Sequence, residues 1–272
     1  MRRCSIVVAL WIGLVLVYMA GLYGFDLPVE GALLGAVMTG SLVWFGLLMM
    51  NAGRSALRDL QARERFQSGL RPRDGEFSAV IGEIRPTFEA LRAPLSGREC
   101  VAYRCDVGKH YISFAAARCA VHSPFGTYVL ESFPSCTGFA QQSGDAQEYV
   151  AATRFEELST VTDIMKYTRD LHSQTPPLRI DWRLGAAPES VRGVEALETV
   201  IESGATVTAY GRFVSATNGL VTHPGKDGYL RLEAGTAKGM PPGALAHLLT
   251  GLALIVIANV GLAIILGTMG SR

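Results

Sequence analysis

The chain contains no Gly-x-x-x-x-Gly-Lys-[Ser/Thr] phosphate loop, no Gly-x-Gly-x-x-Gly turn and no Gly-x-Ser-x-Gly elbow. Those spacings cradle nucleotide phosphates or expose a serine nucleophile. Histidine is sparse: His110, His122, His172, His223 and His247 are scattered without metal-ligand spacing. Cys4, Cys100, Cys105, Cys119 and Cys136 form an odd, irregular set that does not suggest a disulfide framework. In an extended strand, Cys100 and Cys105 fall on opposite faces, and so do Cys119 and His122. These cysteines therefore read as small apolar residues of a β core rather than as ligands of one metal. Asp74, Asp106 and Asp145 make no recognisable carboxylate pair. An excess of charge is missing too. With 25 Lys and Arg against 24 Asp and Glu, well mixed along the chain, nothing asks for nucleic acid. No cofactor and no metal are expected.

Charge is missing most completely from three stretches, at about residues 5–25, 31–50 and 244–267. Each is close to the roughly 20 residues a helix needs to cross a ~30 Å hydrocarbon core. Asn259 is their most polar residue and a candidate for a hydrogen bond between helices. No intramembrane acid or base of the kind pumps use is present in them.

Arginine sets the expected orientation. Arg2 and Arg3 precede the first stretch, Asp26 and Glu30 lie between the first two, and Arg54, Arg58, Arg63, Arg65, Arg71 and Arg73 follow the second. Both basic flanks lie on one side if the first two spans form a hairpin, and that side is expected to be the cytoplasm. The N-terminus and the long segment before the last span then face the cytoplasm, and the C-terminus faces the other way. A cleaved signal peptide is the competing reading of the first stretch. The arginines after the second span also suit contact with anionic lipid.

The expected fold is α+β: three transmembrane helices enclosing a small β-rich barrel or sandwich with one or two helices. Residues 1–52 form the hairpin, 53–73 a basic juxtamembrane helix and linker, 74–240 the soluble domain and 244–267 the last span. Alternating apolar residues predict strands at 77–84, 99–107, 115–121, 127–133, 147–155, 178–182, 205–216 and 229–233. In the second of these, Val101, Tyr103, Cys105 and Val107 fall on one face and Cys100, Ala102 and Arg104 on the other. Ser123-Pro124-Phe125-Gly126 suits a type I turn, and Asn218-Gly219 a hairpin. Helices are expected at 53–67 and 189–203, with Val194, Leu197, Val200 and Ile201 along one side of the latter, and residues 160–171 form a short helix or loop. Gly-Val-Gly recurs at Gly75, Val80, Gly82 and at Gly204, Val207, Gly211, an echo that two related β-hairpins in one small barrel would produce.

Two groups of segments resemble the GIDE-type, or BAM ("beside a membrane"), domain family of membrane-anchored proteins. The first holds Asp74-Gly75-Glu76, Val80 and Gly82, then Ala93-Pro94-Leu95-Ser96-Gly97-Arg98-Glu99-Cys100-Val101-Ala102-Tyr103. The second holds Glu195-Ala196-Leu197-Glu198 and Gly204-Ala205-Thr206-Val207-Thr208-Ala209-Tyr210-Gly211. The best-known relatives in that family are mitochondrial E3 ubiquitin ligases that carry a RING finger after the last membrane helix. A RING needs eight Cys/His ligands. No Cys or His follows His247 here, so ligase activity is not carried over.

The residues that carry the resemblance, Gly75, Val80, Gly82, Pro94, Leu95, Ser96, Gly97, Tyr103, Gly204, Val207 and Gly211, are expected to be structural, and no catalytic residue is assigned. Ser96 reads as a turn residue before a strand. Tyr103, Tyr111 and Trp182 suit either a recognition groove or core packing. The expected function is a membrane-anchored interaction or scaffolding protein that meets a protein partner at the cytoplasmic face. The alternatives are a component of a ubiquitin-like conjugation pathway, a membrane-bound hydrolase with a Cys or Ser nucleophile, and a channel or transporter subunit. The partner's identity and the oligomeric state are open.

Overall fold

The computed structural model describes residues 2–23, 29–145, 147–158, 171–185, 191–222, 229–236 and 244–269, with side chains from 10–22, 33 onward and up to 264 in the terminal helices. It is a mixed α+β chain with two compact units, Met1–Leu60 with Gly239–Arg272, and Gln61–Lys238.

The first unit is helical: α1 (Arg2–Tyr23), the first part of α2 (Val29–Gln67) and α4 (Ala244–Met269). The stretches Leu33–Gln67 and Leu245–Ile264 are long and apolar enough to cross a membrane, and Leu10–Leu22 of α1 is a shorter apolar stretch. Only 28% and 11% of the two apolar windows is buried, whereas a core helix of a water-soluble protein buries most of its apolar surface. Leu34, Met38, Phe45, Leu252, Ile257 and Ile264 are all exposed.

Small residues let these helices approach. A Cβ on Gly46 would lie 2.7 Å from the Gly251 carbonyl oxygen, and one on Gly251 would lie 2.6 Å from the Gly46 carbonyl oxygen. Gly40 sits against Val15, and Gly35 against Leu22. Asn259 makes the cross-helix hydrogen bond its polarity suggested: Tyr18 OH donates to Asn259 Oδ1 at 3.0 Å. Its amide Nδ2 donates to the Ile255 carbonyl.

The second unit consists of two sheets. One runs β1 (Phe77–Pro86), β5 (Cys119–Ser123), β6 (Gly126–Leu130), β13 (Gly219–Val221), β12 (Thr206–Val214), β14 (Arg231–Ala234), β7 (Ser135–Thr137), and β12 pairs back onto β1. The other runs β8 (Gln141–Asp145), β11 (Glu195–Glu202), β3 (Glu99–Val107), β4 (Tyr111–Ala116), β10 (Leu178–Leu184), β9 (Glu156–Leu158), with β2 (Leu91–Arg92) beside β3. Val80, Ile84, Val207 and Leu232 of the first sheet share one apolar core with Ala102, Ala116, Trp182 and Ile201 of the second. Phe66, in the last turns of α2, joins that core and meets Phe125 and Tyr128 edge to face. The outer face of the second sheet is covered by Tyr149 and Val150 of α3 (Gln147–Ala152), together with Phe155, Val191 and Val194.

Two of the singled-out glycines sit where a strand changes partners. Glu83 of β1 pairs with both Thr206 and His122, and a Cβ on the preceding Gly82 would lie 2.1 Å from the His122 carbonyl oxygen. On β12, Tyr210 pairs with Arg231 of β14 and Arg212 with Val221 of β13. Gly211 lies between them, and a Cβ there would come within 2.9 Å of Leu230 Cδ1 and 3.1 Å of the Val221 oxygen. Both positions are close backbone approaches that exclude a side chain.

Several expectations are corrected. The segment expected as a helix at 189–203 holds strand β11, whose backbone is spent laterally on β8 and β3. Residues 186–190 lie outside the described residues. Thr199, Val200 and Ile201 are β-branched and suit a strand, and the 3.6-residue spacing of apolar residues around them was coincidental. The strand expected at 147–155 is instead α3, begun by Asp145 Oδ1, which accepts the Gln147 N–H at 2.9 Å. The strand expected at 115–121 is divided at Ala117-Arg118, where the chain passes from the second sheet to the first. A register shift in the β11–β3 pairing, at Ile201/Glu202, sets Cys100 on the same face as Tyr103, so the simple alternation fails there. The expected helix or loop at 160–171 lies outside the described residues except Leu171.

Candidate functional site

Two polar arrangements stand out among the described residues of the second unit. The first is a clasp around Glu198. This residue lies in the middle of β11, opposite Gln142 and Cys105, and is fully buried. Its carboxylate accepts the backbone N–H of Leu95 at 2.7 Å and of Ser96 at 3.0 Å. It thereby fixes the turn Ala93-Pro94-Leu95-Ser96-Gly97, which closes on itself through Ala93 N–H to Arg98 O and Gly97 N–H to Ala93 O. Gly97 takes a φ of 66°, which a side chain rarely adopts. Two consecutive amides on one carboxylate form a charge-assisted anchor. The two distant segments singled out in the sequence meet at this point.

Around the clasp lie Cys100, Tyr103 and Cys105, all buried. Burial, and secondarily the nearby Glu198 charge, pushes both thiols up to about 12. Burial pushes Cys119 and Cys136 up to about 12 as well. At neutral pH each is a thiol rather than the thiolate a nucleophile needs. Tyr103, Tyr111 and Trp182 are buried in packing clusters, and Tyr103 also lines the cleft described below. The Ser113 hydroxyl donates to Asp181 Oδ1 at 2.7 Å, beside Tyr149, and Arg179 Nε donates to Asp181 Oδ2. That network ties α3 to the sheet.

Val80 and Val207 are core residues. The Gly75 N–H donates to the Phe213 carbonyl and the Gly204 N–H to the Ile84 carbonyl, each joining segments far apart in the chain.

The second arrangement is a cleft of about 380 Å³, lined by β3, β4, β11 and the segment leading through β7. Phe114, Phe133, Phe139, Leu171 and Ile201 supply apolar wall; Arg104, Asp106, Gln141, His172 and Thr199 supply polar groups. Arg104 and Asp106 share a strand face because they are two residues apart. Arg104 Nε and Nη2 donate to Asp106 Oδ2 and Oδ1 at 2.6 and 3.0 Å, and the guanidinium lies over the Phe114 ring at 5.1 Å. Burial lowers the His172 pKa below its ordinary value. Its Nδ1 lies 3.0 Å from the Phe133 carbonyl oxygen, so Nδ1 carries the proton and Nε2 is left as an acceptor. Cys136 shares the cleft, but its raised pKa opposes a Cys–His nucleophile at neutral pH.

Of the cleft residues, sequence reasoning singled out Tyr103, as a family-motif residue suited either to a recognition groove or to core packing. Arg104-x-Asp106 on a strand was a further local signal. The rest come together only through the pairing of distant strands. Among the described residues no group of three or more His, Cys, Asp or Glu is placed to hold a metal ion. No family model, no curated protein and no solved structure matches this chain.

Proposed function

We propose that this chain is a three-span integral membrane protein whose residues 61–238 form a small barrel-like binding module of GIDE/BAM type. The module faces the cytoplasm and recognises a partner there. The exposed apolar faces of α2 and α4 support the membrane reading, since such faces gain roughly 25 cal/mol per Å² on leaving water. α1 serves as the third span, tied to the others through Tyr18 and Asn259. The arginines flanking the first two spans support the orientation, and the meeting of the two GIDE/BAM-like segments at Glu198 supports the family reading.

The observation that carries the binding role is the cleft. It combines apolar wall with convergent polar groups at a volume within the usual range of ligand sites, about 300–1,000 Å³. Anchoring a module to the membrane raises its effective concentration for membrane-bound partners.

The test is proximity labelling in the native membrane, with a cytoplasm-restricted labelling enzyme at the N-terminus. A few proteins should be enriched reproducibly, and enrichment should fall when Thr199→Trp fills the cleft. Labelling identical to that of a bare membrane anchor would remove the recognition role.

A further inference from the structure

The cleft carries more chemical information than its volume. Its charged lining groups, among the described residues, are Arg104 and Asp106. Both Asp106 oxygens are taken by Arg104, on the Nε–Nη2 side of the guanidinium. A guanidinium has five N–H groups and two edges that can fork onto a carboxylate. One edge is therefore engaged, and the Nη1–Nη2 edge has no protein partner among the described residues. Asp106 orients the group without using it up, and Phe114 holds its plane from below. His172 adds no competing charge, because burial favours its neutral form. Phe114, Phe133 and Phe139 line the same cleft and supply aromatic surface to it.

We infer that the cleft binds a carboxylate held next to an aromatic ring, with the carboxylate on the outer fork of Arg104 and the ring among the phenylalanines. This rests on the reading of the cleft as a recognition site and names the chemistry recognised. Two sources present it: a free aryl acid, and the C-terminus of a partner polypeptide ending in an aromatic residue.

The test uses the full chain in lipid nanodiscs, titrated calorimetrically with 2-naphthoate and with an acetylated pentapeptide ending in phenylalanine with a free carboxylate. The carboxamide of each serves as control. At least one acid should bind, at least tenfold more tightly than its amide. Arg104→Gln should abolish that preference. Arg104→Lys should keep only part of it, since an ammonium cannot fork. Thr199→Trp should remove binding by filling the cleft, and an unchanged thermal unfolding transition in each variant establishes that the fold is intact. Binding of the peptide supports both this inference and the partner reading. Binding of naphthoate alone supports the inference and counts against a protein partner in the cleft. Equal affinity for acid and amide, survival of binding in Thr199→Trp, or no binding of either acid overturns it.

Discussion

Replacing Gly46 or Gly251 with alanine should destabilise the helical unit by about 1–3 kcal/mol, the usual cost of forcing an extra group into a packed contact. Each added Cβ would lie 2.6–2.7 Å from a backbone oxygen of the facing helix, and a backbone cannot rotate away as a side chain can. The helices must part, and parting gives up the van der Waals contact that drives helix association in lipid. Gly13 and Gly261 are the internal controls, because a Cβ at either meets nothing within 4 Å. Alanine there should be neutral or stabilising by up to about 1 kcal/mol through helix propensity. Gly46 and Gly251 share one contact, so the double variant should cost less than the two single losses added together. Unfolding in mixed micelles with a denaturing detergent reads all five variants. Equal behaviour of the four single substitutions would remove the close α2–α4 approach.

Removing the Glu198 carboxylate should be more damaging still. Glu198→Ala leaves the Leu95 and Ser96 amides without an acceptor in a buried site. At about 1–3 kcal/mol for each orphaned group, the loss is about 2–6 kcal/mol. A domain of this size typically has only about 5–15 kcal/mol in hand, so the second unit should lose a large fraction of its stability. Glu198→Gln is an informative companion. It keeps one acceptor but aims an NH2 group at the other backbone N–H, so it should recover less than half of the loss. Hydrogen exchange at Leu95 and Ser96 should accelerate in both variants before any global change. A loss under about 0.5 kcal/mol in Glu198→Ala would mean that the turn is held by its own hydrogen bonds, Ala93 to Arg98 and Gly97 to Ala93.

What the sequence made legible follows from how far each signal travels along the chain. The apolar helices and the turn at Ser123–Gly126 are local, and both were readable. Gly82 and Gly211 stood out as expected structural glycines; the reason, a strand exchanging partners, appears only in the pairing. β11 was misread because Val194, Leu197, Val200 and Ile201 carry a helical spacing, and the β-branched run Thr199-Val200-Ile201 favours a strand decisively only together with its pairing to β3 and β8. Nothing local marks Glu198 as buried: its acceptor role depends on a turn a hundred residues earlier. The cleft was illegible for the same reason. Arg104, Phe133, His172 and Thr199 come from separate parts of the chain, and only the pairing of distant strands brings them to one cleft.

One exposed residue tests directly whether a membrane-anchored module faces the cytoplasm. Phe88, in the β1–β2 connection, is 77% exposed. In a Cys4→Ser background, Cys100, Cys105, Cys119 and Cys136 have their thiols pushed up to about 12 and should react slowly, so a cysteine placed by Phe88→Cys should dominate labelling by a membrane-impermeant maleimide. Sealed vesicles with the cytoplasmic face outward should label rapidly, and intact cells should not label until permeabilised. Rapid labelling of intact cells would place the module on the other side of the membrane and contradict the proposed orientation.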